Sequence, residues 1–212
     1  MSEAQLASFA RVPFSHDTLL SLLADYRRPN DKIADWLRQG VLVSLKRGLY
    51  VRGQDLSGNG LCLPLLANRL YGPSCVSLDY ALAWHGLIPE RVRELTSVCM
   101  RRSRVIDNDF GRFSYTRLPA GIYALGIEQV RESDRETFLI ASPAKALCDK
   151  VLLTRYLRVT TRDGMRRFVL DDLRIDGEAL LGLDLDVVRG YASSGHKPAQ
   201  MAALLGMLEA MQ

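Results

Sequence analysis

Apolar and polar positions divide the first quarter of the chain into short, sharply bounded segments. In residues 15–26, Leu19, Leu20, Leu22 and Leu23 line one side behind Ser15, which can cap a helix. Pro13 and Phe14 suit a chain turning into that helix. Pro29 cannot sit inside its continuation, so a second helix is predicted from Asn30. There Ile33, Ala34 and Leu37 give one buried stripe, and Gly40 supplies a left-handed stop. Residues 41–45 then read as a strand, Lys46-Arg47-Gly48 as a tight turn and residues 49–52 as a returning strand. A weak helix, residues 3–10, is available ahead of these elements. The Gly-, Ser- and Asn-rich stretch 53–60 reads as a linker and puts a domain boundary near residue 56.

The patterning downstream is mixed. Residues 61–70 form an apolar helix candidate with Pro64 in its first turn. Ser77 can cap a further helix, which has Leu78, Ala81 and Leu82 facing a core and stops at Gly86 before Pro89. Residues 95–100, 112–118, 123–130 and 137–141 read as strands. Ser142-Pro143 opens a helix with Lys145 and Asp149 one turn apart. From Arg162 the signals are helical. The expected fold class is α+β: an N-terminal module (1–56) and a mixed α/β domain (57–212) that is helical from about residue 143.

A helix followed directly by a small basic hairpin is the pattern of a recognition helix and wing, so the first module is predicted to be a winged helix-turn-helix. Asp31, Lys32, Asp35, Arg38 and Gln39 occupy the helix side that would reach base edges in a major groove. Lys46 and Arg47 at the hairpin tip suit phosphate or minor-groove contact. The competing readings are a solvated helix face and an ordinary basic surface hairpin.

Composition narrows this little. The 212 residues carry a net charge of +4. That balance permits nucleic-acid binding without requiring it. No apolar run is long enough to span a bilayer, and the N-terminus has no secretory pattern, so a cytoplasmic protein without a membrane partner is expected. Cys62, Cys75, Cys99 and Cys148 form no C-x-x-C pair and have no metal-ligand spacing with His16, His85 or His196. They read as buried thiols, and neither metal nor cofactor is expected. Asp79 and His85 lie six residues apart and share no helix face, which argues against an acid/base pair. Asp107 and Asp109 read as a polar turn.

Two arginine runs stand outside the hairpin. One holds Arg101, Arg102 and Arg104, with Arg91, Arg93, Arg112 and Arg117 nearby. The other holds Arg155, Arg158, Arg162, Arg166 and Arg167. Such runs are usually solvated, but arginine also suits a DNA, RNA or acidic-protein partner.

The succession LKRGLYV, LANRLYGPSCVSLDYALAWHGLIPE, TSV, GRFSYTRLP, YALGI and ASPAKALCDKV resembles the AbiEi-type antitoxins of bacterial abortive-infection, type IV toxin–antitoxin systems. The likeness spans roughly residues 14–153, and residues 72–90 are its specific part. The resemblance implies a non-enzymatic phage-defence protein that represses its own operon at promoter inverted repeats and counteracts a nucleotidyltransferase-type toxin. It places the repressor role on Asn30, Lys32, Arg38, Lys46 and Arg47, with Arg27, Arg28 and Arg52 as backbone clamps. No motif marks toxin-contact residues. The alternative is a toxin-binding module whose winged helix does not read DNA, motivated by the acids Asp31 and Asp35. An enzyme acting on nucleic acid is disfavoured, because no nucleophile or metal-ligand constellation appears.

Overall fold

The computed structural model describes residues 6–9, 11–56 and 60–212, excepting the side chains of Ser8, Asp55 and Leu56. The chain divides into two compact units. Met1–Gly72 with Arg131–Phe138 form one, and Pro73–Val130 with Leu139–Gln212 form the other. The first unit thus runs past the linker predicted from composition, of which Ser57, Gly58 and Asn59 lie outside the described residues.

In the first unit a 3-10 turn, Ala7–Phe9, falls where a weak helix is expected; Glu3, Ala4, Gln5 and Ala10 of that helix lie outside the described residues. Strand β1 (Phe14–Ser15) leads into α1 (His16–Leu22), which Ser15 caps by accepting from the Thr18 amide at 3.1 Å. Helix α2 (Pro29–Arg38) begins on the proline, where a missing N–H costs nothing. Strands β2 (Leu42–Lys46) and β3 (Leu49–Arg52) form an antiparallel hairpin, and β1 adds to β3, giving the order β1-β3-β2. Gly48 turns the hairpin with φ +79°. After the 3-10 turn Gly53–Leu56, helix α3 (Leu63–Leu70) completes the main run.

Helix α2 and the sheet meet over a core of Phe14, Leu19, Leu23, Ile33, Trp36, Leu42 and Tyr50. The buried stripe of α2 is Ile33 and Trp36 with Leu37 at its margin, and Ala34 is exposed. The expected stripe therefore shifts toward the residue with the largest apolar area to bury. Gly40 and Gly53 cross so closely that a Cβ on Gly53 would collide with the Gly40 carbonyl oxygen. That crossing fixes where the hairpin leaves α2.

The second unit is built on a mixed sheet of order β6-β7-β5-β4-β9-β8. Its elements are β4 (Ser74–Val76), α4 (Leu78–Trp84), β5 (Leu95–Cys99), β6 (Arg104–Asn108), β7 (Gly111–Arg117), α5 (Ala120–Tyr123), β8 (Ile127–Arg131), β9 (Thr137–Ala141) and α6 (Pro143–Leu153). Then come α7 (Arg162–Arg167), a π-turn Phe168–Asp172, α8 (Gly177–Leu180), α9 (Leu185–Ala192) and α10 (Pro198–Glu209). The architecture is mixed α/β with two sheets. Pairs β5/β7 and β4/β9 are parallel, while β4/β5 and β6/β7 are antiparallel. Helix α6 packs against α4, α9 and α10. Residues Ala144 through Asp149 are all buried, so α6 is enclosed on several sides rather than amphipathic.

Three sequence expectations change here. The strand predicted over 123–130 starts only at Ile127, because Tyr123 closes α5 and Gly126 turns the chain with φ +69°. A Cβ on Gly126 would stand 2.8 Å from Ser142 Oγ and 2.9 Å from Lys145 Cβ, so the turn is pressed onto the start of α6. The polar turn expected around Asp107 and Asp109 has Asp107 in β6, paired across to Arg112. Ser77 does not cap α4; its hydroxyl is used elsewhere.

Candidate nucleic-acid interface and a buried polar cluster

The predicted contact residues fall into three groups. Arg27 and Arg47 are exposed, and neither has a hydrogen bond or ion pair among the described residues. Arg47 sits at the hairpin turn that Gly48 makes possible. Asn30 is exposed in the first turn of α2.

The second group has local partners. Arg28 pairs with Asp31 at 3.6 Å, and Arg38 pairs with Asp35. Lys32 lies over the Trp36 ring at 5.2 Å. The acids on α2 thus answer its cations one turn away. Exposed pairs of this kind are worth about 0–1 kcal/mol, so a phosphate can compete for the arginines.

The third group has partners from other elements of the same unit. Lys46 Nζ donates to the carbonyl oxygens of Leu70 at 2.5 Å and Arg69 at 3.4 Å. Those carbonyls end α3, where a cation satisfies orphan acceptors and the negative end of the helix dipole. Arg52 is buried, and the Gln54 amide faces its guanidinium. With Leu6, Gln39, Gly40, Val41 and Gln54 it lines a small cavity of about 190 Å³. The alternating pattern that places Arg52 at a strand end is silent about this burial.

The acid/base pair considered at Asp79 and His85 is not assembled. Asp79 pairs with Lys150 at 2.6 Å, and His85 Nε2 lies 2.8 Å from the Ala141 carbonyl oxygen. Among the described residues, no group of three or more His, Cys, Asp or Glu is placed to hold a metal ion.

A different cluster lies in the core of the second unit. Ser77, Lys145, Asp149 and Tyr191 are all fully buried. Ser77 Oγ donates to Asp149 Oδ2 at 2.6 Å, and Tyr191 Oη donates to Asp149 Oδ1 at 2.5 Å. Lys145 Nζ donates to Tyr191 Oη at 2.8 Å and lies 3.4 Å from Asp149 Oδ2. The ammonium also stands 5.4 Å from the centre of the Tyr191 ring and 5.9 Å from that of Tyr123. Burial pushes the Asp149 carboxyl above its usual range, against the pull of Lys145, Ser77 and Tyr191. Burial likewise pushes the Cys75 thiol up to about 12 and raises that of Cys148. With no accessible surface, the cluster cannot receive a substrate. Its chemistry is internal: it ties the β4–α4 junction, α6 and α9 together through charge-assisted hydrogen bonds. The spacing of Lys145 and Asp149 was the visible signal; their burial was not.

No protein-family model matches the chain, and no curated protein does. Among solved structures, it is similar to the RV2827C protein from Mycobacterium tuberculosis, with 20% identity and a TM-score of 0.52. The match covers 96% of this chain and 80% of that one. At this identity the likeness carries the fold alone, a mixed α/β architecture.

Proposed function

We propose that the first unit is a winged helix-turn-helix that binds DNA, and that the protein is a non-enzymatic antitoxin that represses its own operon. The observation that carries the DNA-binding half is Arg47, an exposed cation without a local partner at the tip of a hairpin that directly follows α2. The surrounding order of elements supports it. Strand β1 precedes two helices, and the β2–β3 hairpin then pairs back onto β1. In this reading α2 lies in the major groove with Asn30, Lys32 and Arg38 toward the bases. Arg27 and Arg28 approach phosphates, and Arg47 reaches the adjoining backbone. The antitoxin half, counteracting a nucleotidyltransferase-type toxin, rests on the resemblance of residues 14–153 to AbiEi-type antitoxins.

The test is a promoter-fragment titration at several salt concentrations, with parallel co-expression of the neighbouring toxin gene. Operator binding that weakens on Arg47→Ala, together with relief of toxicity by the intact protein, is the expected result. Absence of a shift at low salt removes the repressor role.

A second reading is a toxin-binding module that does not read DNA. The pairing of Asp31 with Arg28 and of Asp35 with Arg38 favours it, since both neutralise the presumed reading helix. Stable co-purification of antitoxin and toxin without a promoter shift would select that reading.

A further inference from the structure

The connection from α6 to α7 presents Tyr156 to solvent. Its side chain is 90% exposed, and its backbone holds φ +57°. A tyrosine is strained in that left-handed region, and exposed aromatic surface gains nothing from water. The conformation is held from both sides. Lys197 Nζ donates to the carbonyl oxygens of Thr154 at 2.6 Å and Val151 at 3.3 Å, and Gln200 Nε2 donates to that of Leu157 at 3.1 Å. The start of α10 thus clamps the backbone just before and just after the tyrosine. The ring is presented on a fixed support, a preorganised surface rather than a loose loop.

The charges around it are unanswered. Residues 155–167 contain Arg155, Arg158, Arg162, Arg166 and Arg167 against the single acid Asp163. All five arginines are exposed, and none has an ion pair or hydrogen bond among the described residues. Elsewhere on this unit Arg112, Arg174 and Arg189 have carboxylate partners. Arg162 and Arg166 stand four apart on one face of α7.

We propose that Tyr156 and these arginines bind single-stranded nucleic acid, with an unstacked base on the tyrosine ring and guanidiniums on the phosphates. A protein–protein interface enriches tyrosine and arginine too, but packs them around a contiguous apolar centre. Here one aromatic stands alone among cations, and neighbouring Leu157 and Val159 are half-buried. In a duplex the base faces are already stacked, whereas single strands offer them freely. This site goes beyond the hairpin reading and involves none of its residues.

The test is fluorescence anisotropy of the full chain with a labelled single-stranded RNA, a single-stranded DNA of the same sequence and a non-operator DNA duplex. Tyr156→Ala is expected to weaken single-strand binding by about 5- to 150-fold, the loss of one base stack. Tyr156→Phe keeps the stack and the affinity. Removing Arg155 and Arg158 together is expected to flatten the slope of log affinity against log salt by about 1.4. Unchanged circular dichroism confirms that the variants fold. RNA binding tighter than DNA identifies RNA as the source through its 2′-hydroxyl; equal binding identifies a sugar-blind single-strand surface. The proposal is overturned by any of three results: no single-strand binding at low salt, equal affinity of Tyr156→Ala and wild type, or equal binding of the duplex or of polyglutamate. Arg47→Ala leaves single-strand binding intact, so failure here and failure of the winged-helix reading are told apart.

Discussion

Lys46 in the hairpin and Lys145 in α6 make similar contacts in opposite surroundings. Lys46 is exposed, and its ammonium reaches the carbonyl oxygen of Leu70 at 2.5 Å. Lys145 is fully buried, and its ammonium reaches Tyr191 Oη at 2.8 Å and Asp149 Oδ2 at 3.4 Å. Water competes for the first and is excluded from the second. An exposed cation at a helix end contributes about 0.3–1 kcal/mol, whereas breaking a buried ion pair costs about 3–5 kcal/mol. Exposed charge on the hairpin is therefore adjustable, open to a ligand that offers more than its neighbours do. Charge in the second unit's core is committed, and its role is to hold elements in register.

Asp149→Ala tests that contrast most severely. It strands the Lys145 ammonium in a dry core, so a loss of about 3–5 kcal/mol is expected. Thermal unfolding should show a melting temperature lower by about 6–20 °C. The double variant Lys145→Met with Asp149→Leu removes the stranded charge and should recover at least about half of that loss. A single variant that melts within a degree or two of wild type would mean that the cluster does not hold α6.

The thiols report the same contrast kinetically. Cys62 of the first unit is half-exposed, whereas Cys75 and Cys148 flank the cluster with no accessible surface. Burial raises Cys75 from 9.0 to about 12, which near pH 8 leaves about a thousandfold less thiolate than an ordinary cysteine has. Mass-mapped alkylation of the native protein should therefore modify Cys62 first and Cys75 only on unfolding. The sign of the linked stability follows. The unfolded thiol ionises near 9 while the folded one keeps its proton, so the contribution of Cys75 is fully present below pH 9 and is lost as pH rises toward about 12. Early modification of Cys75 would mean that the core opens locally.

Ser77→Ala is a milder probe. It removes one donor to the Asp149 carboxylate and should cost about 1.5–3 kcal/mol by chemical denaturation. A loss no larger than that of a surface serine would place the hydrogen bond outside the stabilising set.

These outcomes depend on features of unequal visibility in the sequence. Caps and stops are local physics, so Ser15, Gly40, Gly48 and the Ser142-Pro143 pair mark their element ends directly. The spacing of Lys145 and Asp149 is equally plain, yet it fits a solvated helix pair as well as a buried one. What decides is Ser77, 72 residues from Asp149, and Tyr191, 42 residues from it. No local pattern carries that information. Strand β6 is hidden for another reason: Arg104, Val105 and Asp107 are all exposed, so the segment shows no alternation. At the candidate interface the exposure of Arg47 follows from the turn beside it. The direction of Lys46 is set by carbonyls 23 and 24 residues further along. Tyr156 gives no signal at all, because nothing in a tyrosine predicts a positive φ.

The smallest expected effects bear on the hairpin, where, in the proposed DNA-binding reading, two adjacent cations separate structure from recognition. Lys46→Ala removes the cation at the end of α3 and should lower stability by about 0.3–1 kcal/mol while leaving operator affinity nearly unchanged. Arg47→Ala touches no internal partner, so the melting temperature should hold. The slope of log operator affinity against log salt should then fall by about 0.9, the release of one phosphate contact. The two variants must therefore fail in different assays. If Lys46→Ala costs affinity and Arg47→Ala does not, Lys46 leaves the α3 carbonyls to reach a phosphate. The exposed hairpin would then be a ligand-gated contact rather than a fixed one, and the difference between adjustable and committed charge would lie within a single side chain.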